Sequence, residues 1–119
     1  MSTVLNITEF DVRAIRNHYW TVRIVLKNAG TERVGPGQVI ARQTLKDGSI
    51  RMVDFFNAVD LAPGGKAKLT QLLAGVIKEI NFKTYRTNDG VNIPLVGVAK
   101  RGLFRWSLEG VTESRTAVS

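Results

Sequence analysis

The chain has 119 residues, no cysteine and one histidine, with 17 Lys plus Arg against 10 Asp plus Glu and a net charge of +7. Without cysteine there are no disulfides, thiolate metal sites or cysteine nucleophiles, and a lone His18 excludes a multi-histidine metal site, so no catalytic, cofactor-binding or metal-ligating set is expected. With 44% apolar and 23% charged residues, the composition is that of one folded domain. No apolar run approaches the ~20 residues of a membrane-spanning helix and no export signal is visible at the start, so a soluble chain without a membrane partner is expected.

Residues 1–18 read as an N-terminal arm or edge segment. Within it Thr3, Val4, Leu5, Asn6 and Ile7 are β-prone, and the polar stretch Arg13 to His18 separates them from the first strong strand. Such a segment either adds a strand to a partner's sheet or forms an edge strand of its own domain. Asn6-Ile7-Thr8 matches a glycosylation sequon only by pattern. His18 stands at a strand entrance.

From Tyr19 the period is two. Trp20, Val22, Ile24 and Leu26 share one face and Thr21, Arg23 and Lys27 the other, as in a half-buried strand. Asn28-Ala29-Gly30 ends it, and the glycines around Pro36 mark a second turn before a strand from Gln38 to Leu45. Asp47-Gly48 suits a type I′ hairpin, after which Ile50, Met52 and Phe56 are in phase on a strand paired antiparallel to the last.

Residues 57–68 read as a loop crossing the surface, most flexible at Pro63-Gly64-Gly65. The next stretch fits two templates. Leu69, Leu72, Leu73, Val76, Ile77 and Ile80 have helical spacing, while Val76, Ile80 and Phe82 also fit a strand, and Gly75 costs a helix about 1 kcal/mol. The local pattern predicts a short helical turn over 67–73 and a strand from Ala74 to Phe82. Asn88-Asp89-Gly90 is a turn, Ile93 to Ala99 a buried strand, and Leu103 to Leu108 a strand with Phe104, Trp106 and Leu108 on one face. Residues 19–110 thus form a single β-rich domain, and 111–119 a frayed tail.

The charge is uneven along the chain: residues 1–60 carry 8 − 6 = +2 and residues 61–119 carry 9 − 4 = +5. It is scattered, the longest basic run being Lys100-Arg101, as on a solvated face. Lys100, Arg101, Phe104, Arg105 and Trp106 mix the residue types that grip phosphates and stack on bases. Alternation places Phe104 and Trp106 opposite Arg105, toward the core, so no specific nucleic-acid partner is expected. No Gly-x-Ser-x-Gly elbow is present, and Asp47, Asp60 and Asp89 neighbour turn residues, where Asp bonds the backbone. Gly97 to Gly102 lacks the Lys-Ser/Thr pair of a phosphate loop. An enzyme is not expected.

Three stretches in order carry a family resemblance: Asn28 to Ala41 followed by Lys46 to Arg51, then Ala74 to Asn81, then Ile93 to Phe104. They resemble the glycine-led strand entry, the short aliphatic strand and the final glycine-turn segment of tailed-phage head decoration proteins of the lambda type. The resemblance spans roughly residues 28 to 108. It implies a compact, mainly β domain with at most a short helix (α+β), binding the major capsid protein as a homotrimer on the outside of an expanded phage capsid. It also implies a capsid-stabilising structural protein without a cofactor, located on the virion surface after synthesis in the host cytoplasm, with Thr3, Val4, Leu5, Asn6 and Ile7 as the capsid-binding arm.

The alternative is an immunoglobulin-like β-sandwich. Val22 to Thr31 followed by Asp60 to Gly65 resembles the strand, Asn-x-Gly turn and Pro-Gly turn of adhesion or interaction modules. A basic nucleic-acid-binding domain is the second alternative.

Overall fold

Alternating inward and outward side chains build the architecture. The computed structural model describes residues 4–16, 19–95, 98–101 and 106–109, and among them nine strands. These are β1 (Leu5–Arg16), β2 (Tyr19–Asn28), β3 (Gly37–Leu45), β4 (Ile50–Asn57), β5 (Lys66–Ala74), β6 (Ile77–Thr87), β7 (Asn92–Pro94), β8 (Val98–Arg101) and β9 (Trp106–Glu109). One antiparallel sheet has the order β1-β2-β5 and the other β4-β3-β6-β8-β9, with β7 also paired to β6. The chain changes sheet after β2, after β4 and after β5. Two antiparallel sheets with that exchange of strands make a β-sandwich. The mainly β expectation holds, and the described residues contain no helix.

The inner faces supply the core. Val22, Ile24 and Leu26 of β2 are buried with Val39 and Ala41 of β3, Phe55 of β4, Leu69 and Leu73 of β5, and Ile77, Ile80, Phe82 and Tyr85 of β6. Each of the valines, leucines, isoleucines and phenylalanines among them is worth about 1.5–3 kcal/mol when withdrawn from water. Phe82 joins the layers, its ring lying 6.3 Å from Phe10 of the opposite sheet and 6.2 Å from Phe55.

Several local features differ from the sequence expectation. The stretch 67–73 is the strand β5 rather than a helical turn. Leu69 and Leu73 lie four residues apart, a spacing common to a helix face and to a period of two, and Leu72 between them is exposed. The next strand starts at Ile77 rather than Ala74, because Gly75 turns the chain from one sheet to the other at φ +103°. A Cβ on Gly75 would stand 2.9 Å from Leu45 Cδ2. The β3–β4 hairpin forms through the three-residue loop Lys46-Asp47-Gly48, closed by Gly48 N–H to Leu45 C=O and Leu45 N–H to Ser49 C=O, rather than a two-residue type I′ turn. Ser49 donates from both its N–H and its hydroxyl to Asp47 Oδ1, which holds that carboxyl below its ordinary pKa. Ile93 to Ala99 is divided between β7 and β8, which take separate registers along one edge of β6.

Two buried amides fasten the end of the sandwich where the chain crosses between sheets. Asn28, fully buried, donates from Nδ2 to the Glu32 and Leu61 carbonyls at 2.7 and 2.9 Å and accepts the Gly30 N–H on Oδ1. Its main chain bonds Gly65 and Gly64. Asn57 donates from Nδ2 to the Val59 carbonyl and to Tyr85 Oη, and the Tyr85 hydroxyl donates to the Gly35 carbonyl at 2.7 Å. β3 enters this end so close to β6 that a Cβ on Gly37 would sit 2.1 Å from the Arg86 carbonyl oxygen, so only glycine fits.

Asn28→Ala strands the Glu32 carbonyl and the Gly30 N–H, while the Leu61 carbonyl keeps the Val34 N–H, and each orphan costs about 1–3 kcal/mol. The expected loss is roughly 2–4 kcal/mol in urea unfolding, with the slope unchanged. Burial raises the pKa of Tyr85, against the Asn57 hydrogen bond that lowers it. A raised pKa means that the stabilisation is complete below the ordinary value of about 10 and is lost as pH climbs beyond it. Stability measured across the alkaline range should therefore fall less steeply in Tyr85→Phe than in the parent, although the variant starts lower at neutral pH.

Candidate interaction surface

Turn chemistry occupies the carboxylates singled out in the sequence. Asp47 binds Ser49, Asp89 accepts the Thr87 hydroxyl, and Asp60 lies 4.0 Å from Arg33 at the surface. Among the described residues no group of three or more metal-ligating side chains comes together. Among the described residues, depressions open at two places on the surface. One, of about 490 Å³, lies between the β3–β4 hairpin and Gly75-Val76, and the other, of about 390 Å³, lies between Arg33 to Pro36 and the β6–β7 turn. Neither contains a buried ionisable side chain. His18, Phe104 and Arg105 lie outside the described residues, as do the side chains of Lys100, Arg101 and Trp106.

The segment read as a capsid-binding arm is largely spent inside the domain. Thr3 lies outside the described residues and Val4 is exposed, its carbonyl accepting the Ala29 N–H. Leu5, Asn6 and Ile7 are buried and pair with Asn28, Lys27 and Leu26 of β2. They form the edge strand of their own sheet, the second of the two possibilities the sequence left open, because Leu5 and Ile7 complete the core that Leu26 begins.

The outer face of the three-stranded sheet gathers the charge. Register places Lys27 of β2 directly opposite Lys66 of β5, Val25 opposite Lys68, and Arg23 opposite Thr70. On the other side of β2, Glu9, Asp11 and Arg13 of β1 face Val25, Arg23 and Thr21, so Glu9 lies in the same cross-strand row as Lys68. Asp11 lies 3.3 Å from Arg13 and 3.6 Å from Arg23, so one carboxylate is shared by two guanidinium groups. No ion pair joins Lys27, Lys66 or Lys68 to a described carboxylate. Like charges directly opposed across a strand pair oppose folding, so this ladder is maintained at a cost. Val25, buried although it points to this outer face, lies outside the main core cluster and gives the face an apolar floor.

The sequence reading missed Lys66 and Lys68 as a group. Their signal is the alternation Lys66-Ala67-Lys68-Leu69-Thr70, basic or polar on one face and apolar on the other, hidden when 57–68 is taken as loop and 67–73 as helix. The pairing of Lys27 with Lys66 is not visible in the sequence at all.

No family model, curated protein or solved structure matches this chain. What it does must be argued from its own surfaces.

Since Leu5 and Ile7 are core residues, removing residues 2–7 should abolish a cooperative melt rather than leave a folded domain lacking only a contact arm. The milder Ile7→Ala should cost about 2–5 kcal/mol, read by thermal and urea unfolding followed by circular dichroism.

Proposed function

We propose that this chain is a non-catalytic interaction module that docks the basic outer face of its three-stranded sheet onto an acidic protein surface of a larger assembly. The observation that carries this reading is the Lys27–Lys66 pair with Lys68 beside it. Opposed, unneutralised cations on a flat sheet find their compensation in a partner's carboxylates, and complementary potentials of that kind set orientation and encounter rate. The sandwich layout supports the interaction-module reading, because such folds present rigid sheet faces. The outside of a phage head, named by the family resemblance, is one assembly with which a cysteine-free structural module of this kind would combine.

Nucleic acid is the competing anion, and the composition of the face argues against it. The exposed ring of Tyr19 stands on this face but at the far end of β2 from Lys27, Lys66 and Lys68. Thr21, Arg23, Val25 and Lys27 of β2 and Lys66, Lys68, Thr70 and Leu72 of β5 place beside the lysines no aromatic ring on which a base would stack.

Binding to immobilised poly-L-glutamate and to duplex DNA, across a salt series, separates these readings. The parent should bind the polyglutamate and lose it with rising salt. The double variant Lys66→Glu/Lys68→Glu should lose at least tenfold in affinity. Lys78→Glu/Lys83→Glu, which changes net charge equally on exposed positions of β6, should bind nearly as the parent does. Equal losses in the two variants would reduce the effect to net charge and remove the proposal. Tighter binding to DNA, with a steep salt slope, would transfer the function to the nucleic-acid class.

A further inference from the structure

Strands at the margins of sheets invite pairing, and folded proteins guard them with lysines, bulges or covering segments. Three such strands here are guarded. β1 has irregularities between Ile7 and Glu9 and between Ala14 and Arg16. β5 carries Lys66 and Lys68, and its Leu72 N–H is capped by Gln71 Oε1. β9 is the far end of the larger sheet, and contacts join it to β1. β4 is contacted by β5, whose Gln71 reaches its edge, but its own sequence carries none of these devices. It has eight residues without lysine, proline or glycine and pairs with β3 in unbroken register.

The outer face of β4, where its main chain is free, is apolar except at Asp54. The hairpin bond from Leu45 N–H to Ser49 C=O fixes the alternation, so Arg51, Val53, Phe55 and Asn57 turn their peptide groups to β3. The peptide groups of Ile50, Met52, Asp54 and Phe56 point away from the sheet. Ile50, Met52 and Phe56 share the outer face and are 57%, 59% and 65% exposed. Of the four free carbonyls, that of Asp54 accepts Gln71 Nε2 at 2.7 Å and retains a second lone pair.

We infer that β4 pairs antiparallel with β4 of a second copy of this chain, forming a two-fold dimer with a continuous sheet. The strand is self-complementary in one register, centred on Val53. There Ile50 faces Phe56 of the second copy and Met52 faces its Asp54, each pair aligning outward-pointing peptide groups. Shifting the centre to Met52 leaves Phe56 without a partner, and shifting it to Asp54 opposes two carboxylates.

Charge complementarity selects the same register. Arg42 of β3 lies beside Met52, and its Nε is buried without a hydrogen-bond partner. In the paired sheet Asp54 of the second copy falls in the same cross-strand row, two strand spacings or about 10 Å of backbone away, within reach of an extended guanidinium and a carboxylate. Asp54 forms no ion pair within its own described chain. This inference stands on β4 alone and is independent of the acidic-surface reading.

Native mass and light scattering of the full chain over a concentration series test it. The parent should have twice the chain mass. Met52→Pro removes an edge donor without touching the ladder to β3, and Met52→Lys places a charge on the edge while leaving the backbone intact; both should halve the mass with the circular dichroism spectrum retained. Ile15→Lys, on exposed β1, should leave the dimer unchanged. If the proline variant misfolds, the lysine variant decides. A monomeric parent at high concentration, a trimer, or a dimer that survives Met52→Lys overturns the inference.

Discussion

One buried side chain, Asn28, governs how the two sheets meet. It stands where β2 ends, and its amide holds the Glu32 carbonyl on the way into β3 and the Leu61 carbonyl on the way into β5. A sandwich must carry its chain across the core at such points, where backbone groups leave one ladder before joining the next and would otherwise be stranded away from water. A short amide offering two donors and an acceptor serves both crossings at once, beside the paired backbone bonds of Val34 and Leu61. Its own main chain bonds Gly64 and Gly65, which places the first residue of β5 against Lys27. The clamp that closes the core therefore also sets the register that opposes Lys27 to Lys66.

The consequence is a fold in which stability and binding potential come from different layers. The inner faces are apolar, and Phe82 packs against rings of both sheets. The outer face of the smaller sheet keeps like charges opposed, and the outer face of β4 keeps three large apolar groups in water. Neither arrangement helps the isolated chain, and each is the sort of local conflict that occurs where a protein serves a partner. Surface lysines that were only solubilising would be better interleaved with carboxylates, as Asp11 is between Arg13 and Arg23.

Much of the fold was legible in the sequence because period two is a strong signal when polar and apolar residues differ sharply. Tyr19 to Lys27 and Gln38 to Leu45 are of this kind, and both became strands with nearly the expected bounds. The Leu69 to Ile80 stretch failed because leucines four apart satisfy two periods, and the decision rests with tertiary pairing to β2. The N-terminal segment was legible as a β-strand but not as to whose sheet it joins, since that depends on Leu5 and Ile7 meeting Leu26. The candidate site was the least legible part. Lys27 and Lys66 are brought together only by register, and the free edge of β4 is defined by which neighbour it lacks.

The two surfaces bear on each other through geometry. In antiparallel pairing centred on Val53, Met52 and Asp54 of the second copy lie on the same side of the shared sheet, so the two-fold axis runs perpendicular to it. Both three-stranded sheets then lie on one side of the pair, with their basic faces pointing in the same direction. A single basic face in water gains little, because each exposed ion pair is worth at most about 1 kcal/mol and is screened by salt. Two faces held rigidly in parallel make the second contact intramolecular, and avidity can rise by about 10²–10⁴ without any new interaction. Such a pair would discriminate a repeating acidic surface, which both faces meet together, from an isolated acidic partner that only one can hold. The net charge of +7 then matters less for its size than for the direction in which the fold points it.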